Sequence, residues 1–425
     1  MRDIKLKDIV IYGMYFFSFI FLIFQDAIYT PDTASYLNAA IYRYPGYAIF
    51  TNFLKFIFQD YFDLVTVGIQ LLFGFISVHF VAKKFTEVLH LNYLTKIILI
   101  VILLFPFFAP LYVANNICSE GLSYPFYLFF LAFSFDFLNR DCRKSFILLL
   151  ISYVLLTLTR GQFIILPIIV LVIYILKIKR LVFKGIHLKK IILLLLIPFI
   201  ATVMDKSYHL LKDGKFVSTP FSFISASGAA LYVSQASDIE FIETDDDKEI
   251  FKDCHEFLTE NNWLLSSKNR ATPKDDYKHF HNNVSKLCNY TLHDRGTQYY
   301  LDKGYSIVEA RIAIEKTSKS IYPVLVKNNF EKWLSLYYSN LVHSFKSEFL
   351  LFFMVFVLLF SFIKSIISDN KLYVYLFFLA SLILSNALIV AFASHSIIRY
   401  VFYNYSLFFL IFVLIIKLIK HGKEA

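Results

Sequence analysis

FLLFFMVFVLLFSFIKSII fills residues 349–367 and carries one charged residue, Lys364. A helix of that length rises about 28 Å, close to the ~30 Å hydrocarbon core of a bilayer. A soluble helix this long would show a polar face, and this stretch has none. It reads as a membrane span, and the rest of the chain falls into place around it. Ten spans are predicted, at about 8–25, 62–82, 97–114, 121–138, 145–159, 162–177, 190–204, 349–367, 372–393 and 401–419. The first is uncharged from Ile9 to Phe24 and has no small-residue cleavage site, which reads as a retained anchor.

Composition agrees. The 425 residues are 58% hydrophobic and 17% charged, against about 45–50% and 25% in average soluble domains. This excludes an ordinary cytosolic enzyme and a disordered chain. A net charge of +10 would suggest nucleic acid in a soluble protein, but the positions of the cations decide otherwise. Twenty of the 42 lie in short segments on one side of the spans, among them Arg2, Lys5, Lys83, Lys84, Arg140, Lys179, Arg180, Lys364 and Lys417. The opposite short segments hold only Arg43, Lys55, Arg160 and Arg399. The remaining 18 sit in one hydrophilic segment, 205–348, beside 20 of the 32 acids. By the positive-inside rule both termini are cytoplasmic and the long segment is external. The charge is a topology signal, with no nucleic-acid partner implied.

The expected fold is therefore an all-α polytopic membrane protein of about ten transmembrane helices with an inserted external domain, mostly helical or α+β. Residues 1–204 form a transmembrane module whose first external loop, 26–61, holds short helices lying in the interface. Residues 205–348 form the external domain, and 349–425 are three closing spans. In the external domain, Glu243–Asp247 reads as a solvated acidic loop. Cys254 and Cys288 are a candidate disulfide on the oxidising side.

The polar chemistry gathers at the external face. Thr30-Pro31-Asp32 reads as a helix start, with Thr30 as N-cap, Pro31 at the first position and Asp32 in the first turn. Asp32 is either a helix-start acid or a carboxylate ready to take a proton from an acceptor hydroxyl. Glu120 enters the fourth span at the same face, and the two acids could divide acid and base roles or share a metal. Arg160, at the junction of two spans, is costly near hydrocarbon. It reads as a partner for a lipid phosphate or as an internal ion pair with Asp32 or Glu120. His395 and Arg399, if helical, share a face and could complete a phosphate pocket, with Arg43 a further candidate. No span shows an unambiguous mid-membrane charge, which gives a proton-coupled transporter little support. Walker, GxSxG and zinc motifs are absent from the sequence.

Pro31-Asp32-Thr33-Ala34-Ser35-Tyr36 with Tyr44-Pro45-Gly46-Tyr47, then Ser119-Glu120-Gly121-Leu122, Leu158-Thr159-Arg160-Gly161-Gln162 and Arg399-Tyr400 form an ordered set. The pattern resembles the GT-C superfamily of integral-membrane glycosyltransferases that use polyprenyl-phosphate-linked sugars. In size and layout it resembles bacterial members that include serotype-converting glucosyltransferases. The likeness covers about the first half of the chain and the last spans; segment 205–348 matches nothing nameable.

The resemblance implies an inverting glycosyltransferase of the bacterial inner membrane. Asp32 would be the catalytic base, and Glu120 would position the acceptor or a metal. Arg160, Arg399, His395 and Arg43 would hold the donor phosphate. The implied partners are a polyprenyl-phosphate sugar donor, a glycan acceptor and the bilayer. No cofactor is certain. A divalent cation is the one candidate, with Asp32 and Glu120 as its ligands, though the first loop lacks the neighbouring acid that other members pair with this Asp. The alternatives are a glycan polymerase or ligase using polyprenyl-pyrophosphate-linked oligosaccharide, and a non-enzymatic translocator of lipid-linked sugars.

Overall fold

The computed structural model describes residues 6–178, 184–267 and 272–424; they are helical with no strands, and Arg2, Lys5, Lys179 and Arg180 lie outside them. Ten apolar segments were expected, and among the described residues seven helices are long and apolar enough to cross a membrane. They are α4 (Phe62–Leu89), α6 (Glu120–Arg140), α8 (Leu166–Ile178, led in by a turn from Gly161), α9 (Gly185–Asp213), α16 (Glu348–Ile367), α17 (Lys371–Ala393) and α19 (Tyr405–Glu424). Of the other three expected spans, α1 (Leu6–Ile23) is an apolar helix of 18 residues, while α5 (Tyr93–Leu104) has 12 and tightens into a 3₁₀ turn at Pro106. The third, α7 (Arg143–Thr159), has 17 residues.

The opening stretch shows how these helices are dressed. Along α16, Phe349, Phe352, Phe356, Leu359 and Ile363 are exposed at i, i+3, i+4 spacing, while Leu351, Met354, Val357, Ser361 and Ser365 are buried. The buried row is narrow and contains serines; the outward row is almost wholly apolar. That is inverted relative to a soluble helix and suits lipid as solvent.

Helix connections define two ends of the bundle. At one end α6 begins, α7 ends and α8 begins, since Arg160 meets Glu120. There also lie the end of α1, where Ile28 bridges to Asn116, and the start of α18 (Ile398–Val401), whose Arg399 reaches Glu120. At the other end Lys190 bonds Asp141 at 2.7 Å, Lys84 bonds Asp136 at 3.2 Å, and Lys417 bonds the carbonyls of Leu89 and His90. Since α7 links the far end of α6 to the near end of α8, it runs the length of the bundle despite falling short of 18 residues.

The first loop contains α2 (Thr33–Leu37) and α3 (Pro45–Phe58), as the expected short helices. The start of α2 differs from the expectation: Asp32, not Thr30, is the N-cap residue, and the Thr33 hydroxyl accepts from the Thr30 N–H at 2.8 Å. The Asp32 carboxylate is free of capping because it is engaged elsewhere.

Residues between α9 and α16 form α10 (Ser222–Val233), α11 (Asp245–Glu260), α12 (Pro273–Cys288), α13 (Thr297–Asp302), α14 (Ile307–Asn328) and α15 (Phe330–Phe345). They enclose a second apolar core that includes Leu231, Phe251, Phe280, Ile314 and Leu325. This layer is stitched to the bundle. The Ser225 hydroxyl donates to the Ala393 carbonyl at 2.7 Å, and the Asn340 amide donates to the carbonyls of Ala391 and Ser394. An inserted domain is thus not evident as a separate body, and its α+β option falls away.

Two smaller expectations are corrected here. Thr244 caps α11 and Asp245–Asp247 form its first turn, so the acidic run is a helix start stabilised by the dipole. Cys254 and Cys288 are free, buried thiols, and burial pushes that of Cys288 up to about 12.

Candidate functional site

The arginines and acids singled out in the sequence converge where the bundle meets the second layer. A cleft of about 370 Å³ is lined by Asp32, Arg43, Arg160 and Arg399, with tyrosines 36, 42, 44 and 400 among its walls. Arg43 donates to Asp32 Oδ1 at 2.6 Å and to the Ser35 hydroxyl at 2.7 Å. Arg399 Nη1 lies 2.9 Å from Asp32 Oδ2, while its Nε and Nη2 bond both oxygens of Glu120. Arg160 bonds the same Glu120 and packs against the Tyr400 ring, 5.2 Å from its centroid. A single guanidinium thus bridges the two acids, and the chain order is Arg43–Asp32–Arg399–Glu120–Arg160.

Accessibility separates the acids. Glu120 is 3% exposed and does not line the cleft, whereas the Asp32 side chain is 27% exposed within it. Burial pushes the Asp32 carboxyl up, but Arg43 and Arg399 outweigh this and hold it below the usual carboxylate range. Of the two alternatives weighed for Arg160, the structure shows the ion pair, with Glu120, and the residue also lines the cleft. Asp32 and Glu120 do not fit a shared metal, because the Arg399 guanidinium occupies the place between them. Among the described residues no group of three His, Cys, Asp or Glu side chains is placed to hold one.

His395 is not brought to the cleft. Residues 395–397 lie between the end of α17 and the start of α18 and are not helical, so the i, i+4 relation to Arg399 fails. The His395 ring lies 4.7 Å from that of His281, which in turn lies 5.1 Å from His343. Burial, first, and the neighbouring His281 and His343 push His395 down to about 4, so near neutral pH it carries no charge for a phosphate.

Local packing explains the glycines in the sequence motifs. A Cβ on Gly161 would lie 2.0 Å from the Tyr44 hydroxyl, and one on Gly121 would lie 2.1 Å from Oε1 of Gln70. Gln70 is buried. It donates to the Ala114 carbonyl at 2.6 Å and accepts from the Tyr47 hydroxyl at 3.0 Å, tying α4 to the first loop and to the segment that delivers Glu120. Sequence reasoning missed Gln70, although a lone amide within the apolar run 64–82 was a usable signal. It also missed Cys118, whose sulfur accepts from Arg399 and lies 3.9 Å from Asp32 Oδ2.

Comparison with known protein families, curated proteins and solved structures finds no match to this chain. The chemistry of the cleft must therefore be read from its own atoms. Two carboxylates face three guanidinium groups, leaving one uncompensated positive charge beside a partly accessible carboxylate.

Proposed function

We propose that this multi-pass membrane protein is an inverting glycosyltransferase. It moves a sugar from a polyprenyl-phosphate donor to a lipid-linked glycan or cell-surface polysaccharide at the external face of a bacterial inner membrane. The observation that carries the reading is the placement of Asp32, Arg43, Arg160 and Arg399 around one cleft at the end of an apolar bundle. A polyprenyl tail belongs in lipid, and its phosphate belongs at the membrane end of such a bundle. The resemblance to GT-C glycosyltransferases agrees with this assignment of roles.

Sidedness follows from charge. Among the described residues, Lys84, Lys190 and Lys417 lie at the bundle end opposite the cleft, and under the positive-inside rule this supports an external cleft and layer 205–348 with cytoplasmic termini. The same connectivity supports ten crossings, with α5 and α7 as the short ones.

The surplus charge selects the donor. A glycosyl phosphodiester carries one negative charge and balances the one unpaired cation; a pyrophosphate diester carries two. As the glycosidic bond breaks, the phosphate gains a second charge, so arginines fixed around it stabilise the transition state more than the ground state. Asp32 takes the proton of the acceptor hydroxyl as that oxygen attacks the anomeric carbon. Attack opposite the phosphate inverts the configuration there.

Purified protein is incubated with polyprenyl-phosphate or polyprenyl-pyrophosphate sugars, and sugar release is followed. Release from the monophosphate alone is expected. Release from the pyrophosphate alone would move the assignment to the polymerase or ligase reading, and release from neither would leave a translocator.

A further inference from the structure

We propose that Arg311 and His293 form an oxyanion subsite beside the arginine cleft, which takes the carboxylate or phosphate of an acidic acceptor glycan; the ligand's role as acceptor rests on the glycosyltransferase reading above. Arg311 sits on α14, and His293 sits in a π turn, Asn289–Gly296, a geometry that recurs at functional sites. Both pack against Tyr42, which lines the arginine cleft together with Phe221. The Tyr42 ring centroid lies 4.9 Å from that of His293 and 5.1 Å from Arg311 Cζ, and the Phe221 ring lies 5.7 Å from His293. Two side chains therefore belong to both the cleft wall and the subsite.

Unmet hydrogen bonds point to a ligand. Arg311 gives Nη1 to the His293 carbonyl, and among the described residues no other group accepts from it and no carboxylate pairs with it. Its Nε is buried without a partner. The open edge, Nε with Nη2, is the one by which Arg399 grips both oxygens of Glu120. Such an edge fits a carboxylate or a phosphate with two parallel N–H bonds. His293 is 9% exposed, and its Nε2 is likewise buried without a partner. Two orphaned polar atoms on neighbouring side chains, one of them on a guanidinium, are costly to leave unmet.

Charge points the same way. Arg43 Cζ lies 5.2 Å from the same Tyr42 ring, so Arg43 and Arg311 are within about 10 Å, one screening length at 0.1 M salt. Asp32 neutralises Arg43, whereas Arg311 lacks such a partner. An oxyanion supplies it, and a glycan held there by its acid is one aromatic ring away from Arg43 and Asp32, where its hydroxyl reacts. Among the described residues the Tyr42 hydroxyl has no hydrogen-bond partner; ring and cation contacts hold the side chain, so turning it to admit the acid breaks no hydrogen bond.

The bound acid also changes His293. Its Nδ1 donates to Asp294 at 2.8 Å, which leaves Nε2 with a lone pair. Burial, first, and then repulsion by Arg311 and Arg43 outweigh the pull of Asp294 and hold the imidazole down at about 4. The rings of Tyr42 and Phe221 complete its surroundings. An oxyanion cancels the Arg311 repulsion and gives Nε2 an acceptor, so the value in the complex is higher. Binding therefore takes up a proton, and affinity rises as pH falls from the bound value towards the free one.

The test uses full-length protein in detergent with polyprenyl monophosphate added to fill the arginine cleft. The probes are methyl glucuronide, dimethyl phosphate and, as uncharged control, methyl glucoside. Calorimetry at pH 6 in two buffers of different ionisation enthalpy reads affinity and proton uptake together. A charged probe is expected to bind wild type with proton uptake, and the stronger of the two tells a uronic-acid acceptor from a phosphate-bearing one. Arg311→Gln should weaken it about tenfold or more, the scale of a lost charge-assisted pair, and Arg311→Lys should restore only part. His293→Gln should keep binding but abolish the proton uptake, a readout that a merely structural role would not move and that stands even if Arg311→Gln fails to fold. Failure of both charged probes to bind wild type, or equal binding by Arg311→Gln, overturns the proposal. If a probe binds through Arg311 and no polyprenyl-phosphate sugar is consumed, the glycosyltransferase reading fails while the oxyanion subsite stands.

Discussion

Replacing Glu120 with Gln should move two readouts in opposite directions. Glu120 is bonded to both Arg399 and Arg160 and is almost fully buried. Removing one partner of such an ion pair costs about 3–5 kcal/mol, since the remaining charge stays buried. Gln keeps one acceptor oxygen, which favours the lower end. For a chain of 425 residues, the unfolding entropy scale is about 0.9 kcal/mol/K, so the melting temperature should fall by about 3–6 °C. The same change raises the unpaired charge of the cleft from one cation to two. With a phosphate about 7 Å from position 120 and an effective dielectric of about 20, one unit of charge contributes about 2.4 kcal/mol, or ~50-fold. The product polyprenyl monophosphate should therefore bind at least tenfold more tightly to the less stable variant. Thermal unfolding in detergent and product titration measure the two effects. A purely structural Glu120 would weaken binding along with stability, and that result would refute the charge argument.

Three further outcomes follow from the same geometry. Asp32→Asn should lower transfer by about 10²–10⁴-fold, the range of a lost general base, while the protein still inserts and folds; transfer at the wild-type rate would remove Asp32 from catalysis. Gly121→Ala should destabilise by about 1–3 kcal/mol through overpacking against Gln70, seen as a lower melting temperature that Gln70→Ala partly restores. The third concerns the histidines packed at Tyr277, with His281 on α12, His343 and Lys346 at the end of α15, and His395 before α18. Burial, with Lys346 and His281 adding repulsion, pushes His343 down to about 4, matching His395. A histidine whose folded value is depressed adds stability above its unfolded value of about 6.5, which is lost as pH falls from there towards 4. Stability should drop across that window, by about 1–2 kcal/mol for His395 after allowance for solvent, seen as a lower melting temperature, and His395→Asn should flatten the drop.

The spans were legible because their composition leaves no polar face, as in 349–367. Their number was less so, since Pro106 cuts α5 short and a window of apolar letters does not see a 3₁₀ turn. The gathering of Asp32, Arg43, Arg160 and Arg399 could be foreseen from the uneven spread of cations along the sequence: few fall in the short segments on this side of the apolar runs, and those few must cluster or be solvated. The pairing of Arg399 with Glu120 could not, because it depends on how α6 packs against a helix 279 positions later. His395 misled for a local reason. Its spacing to Arg399 looked helical, but α17 ends at Ala393 and α18 starts only at Ile398, and in the non-helical segment between them the imidazole packs beside His281 of α12.

A carboxylate gripped by two guanidinium groups is a weak base, and this sets a condition on the mechanism. Asp32 accepts from Arg43 and lies 2.9 Å from Arg399, and these contacts hold its proton affinity down. A donor phosphate placed among Arg43, Arg160 and Arg399 accepts from the same N–H groups. Every hydrogen bond that passes to the phosphate, and every unit of positive charge it neutralises, raises the proton affinity of Asp32 when the donor sits beside it. On the proposed glycosyltransferase reading, base strength is then coupled to donor occupancy, and Asp32 would be a competent base only with a sugar in place to receive the acceptor oxygen. The pH dependence of the two kinetic constants separates this from a fixed base. The acid limb of kcat/KM reports the free enzyme, and that of kcat reports the donor complex. The free-enzyme limb should fall below the usual carboxylate value of about 3.9, because Arg43 and Arg399 depress it, and the kcat limb should lie at least one pH unit higher. Coincident limbs would mean that the arginines keep their grip on Asp32 throughout the cycle, and the base would have to be sought elsewhere in the cleft.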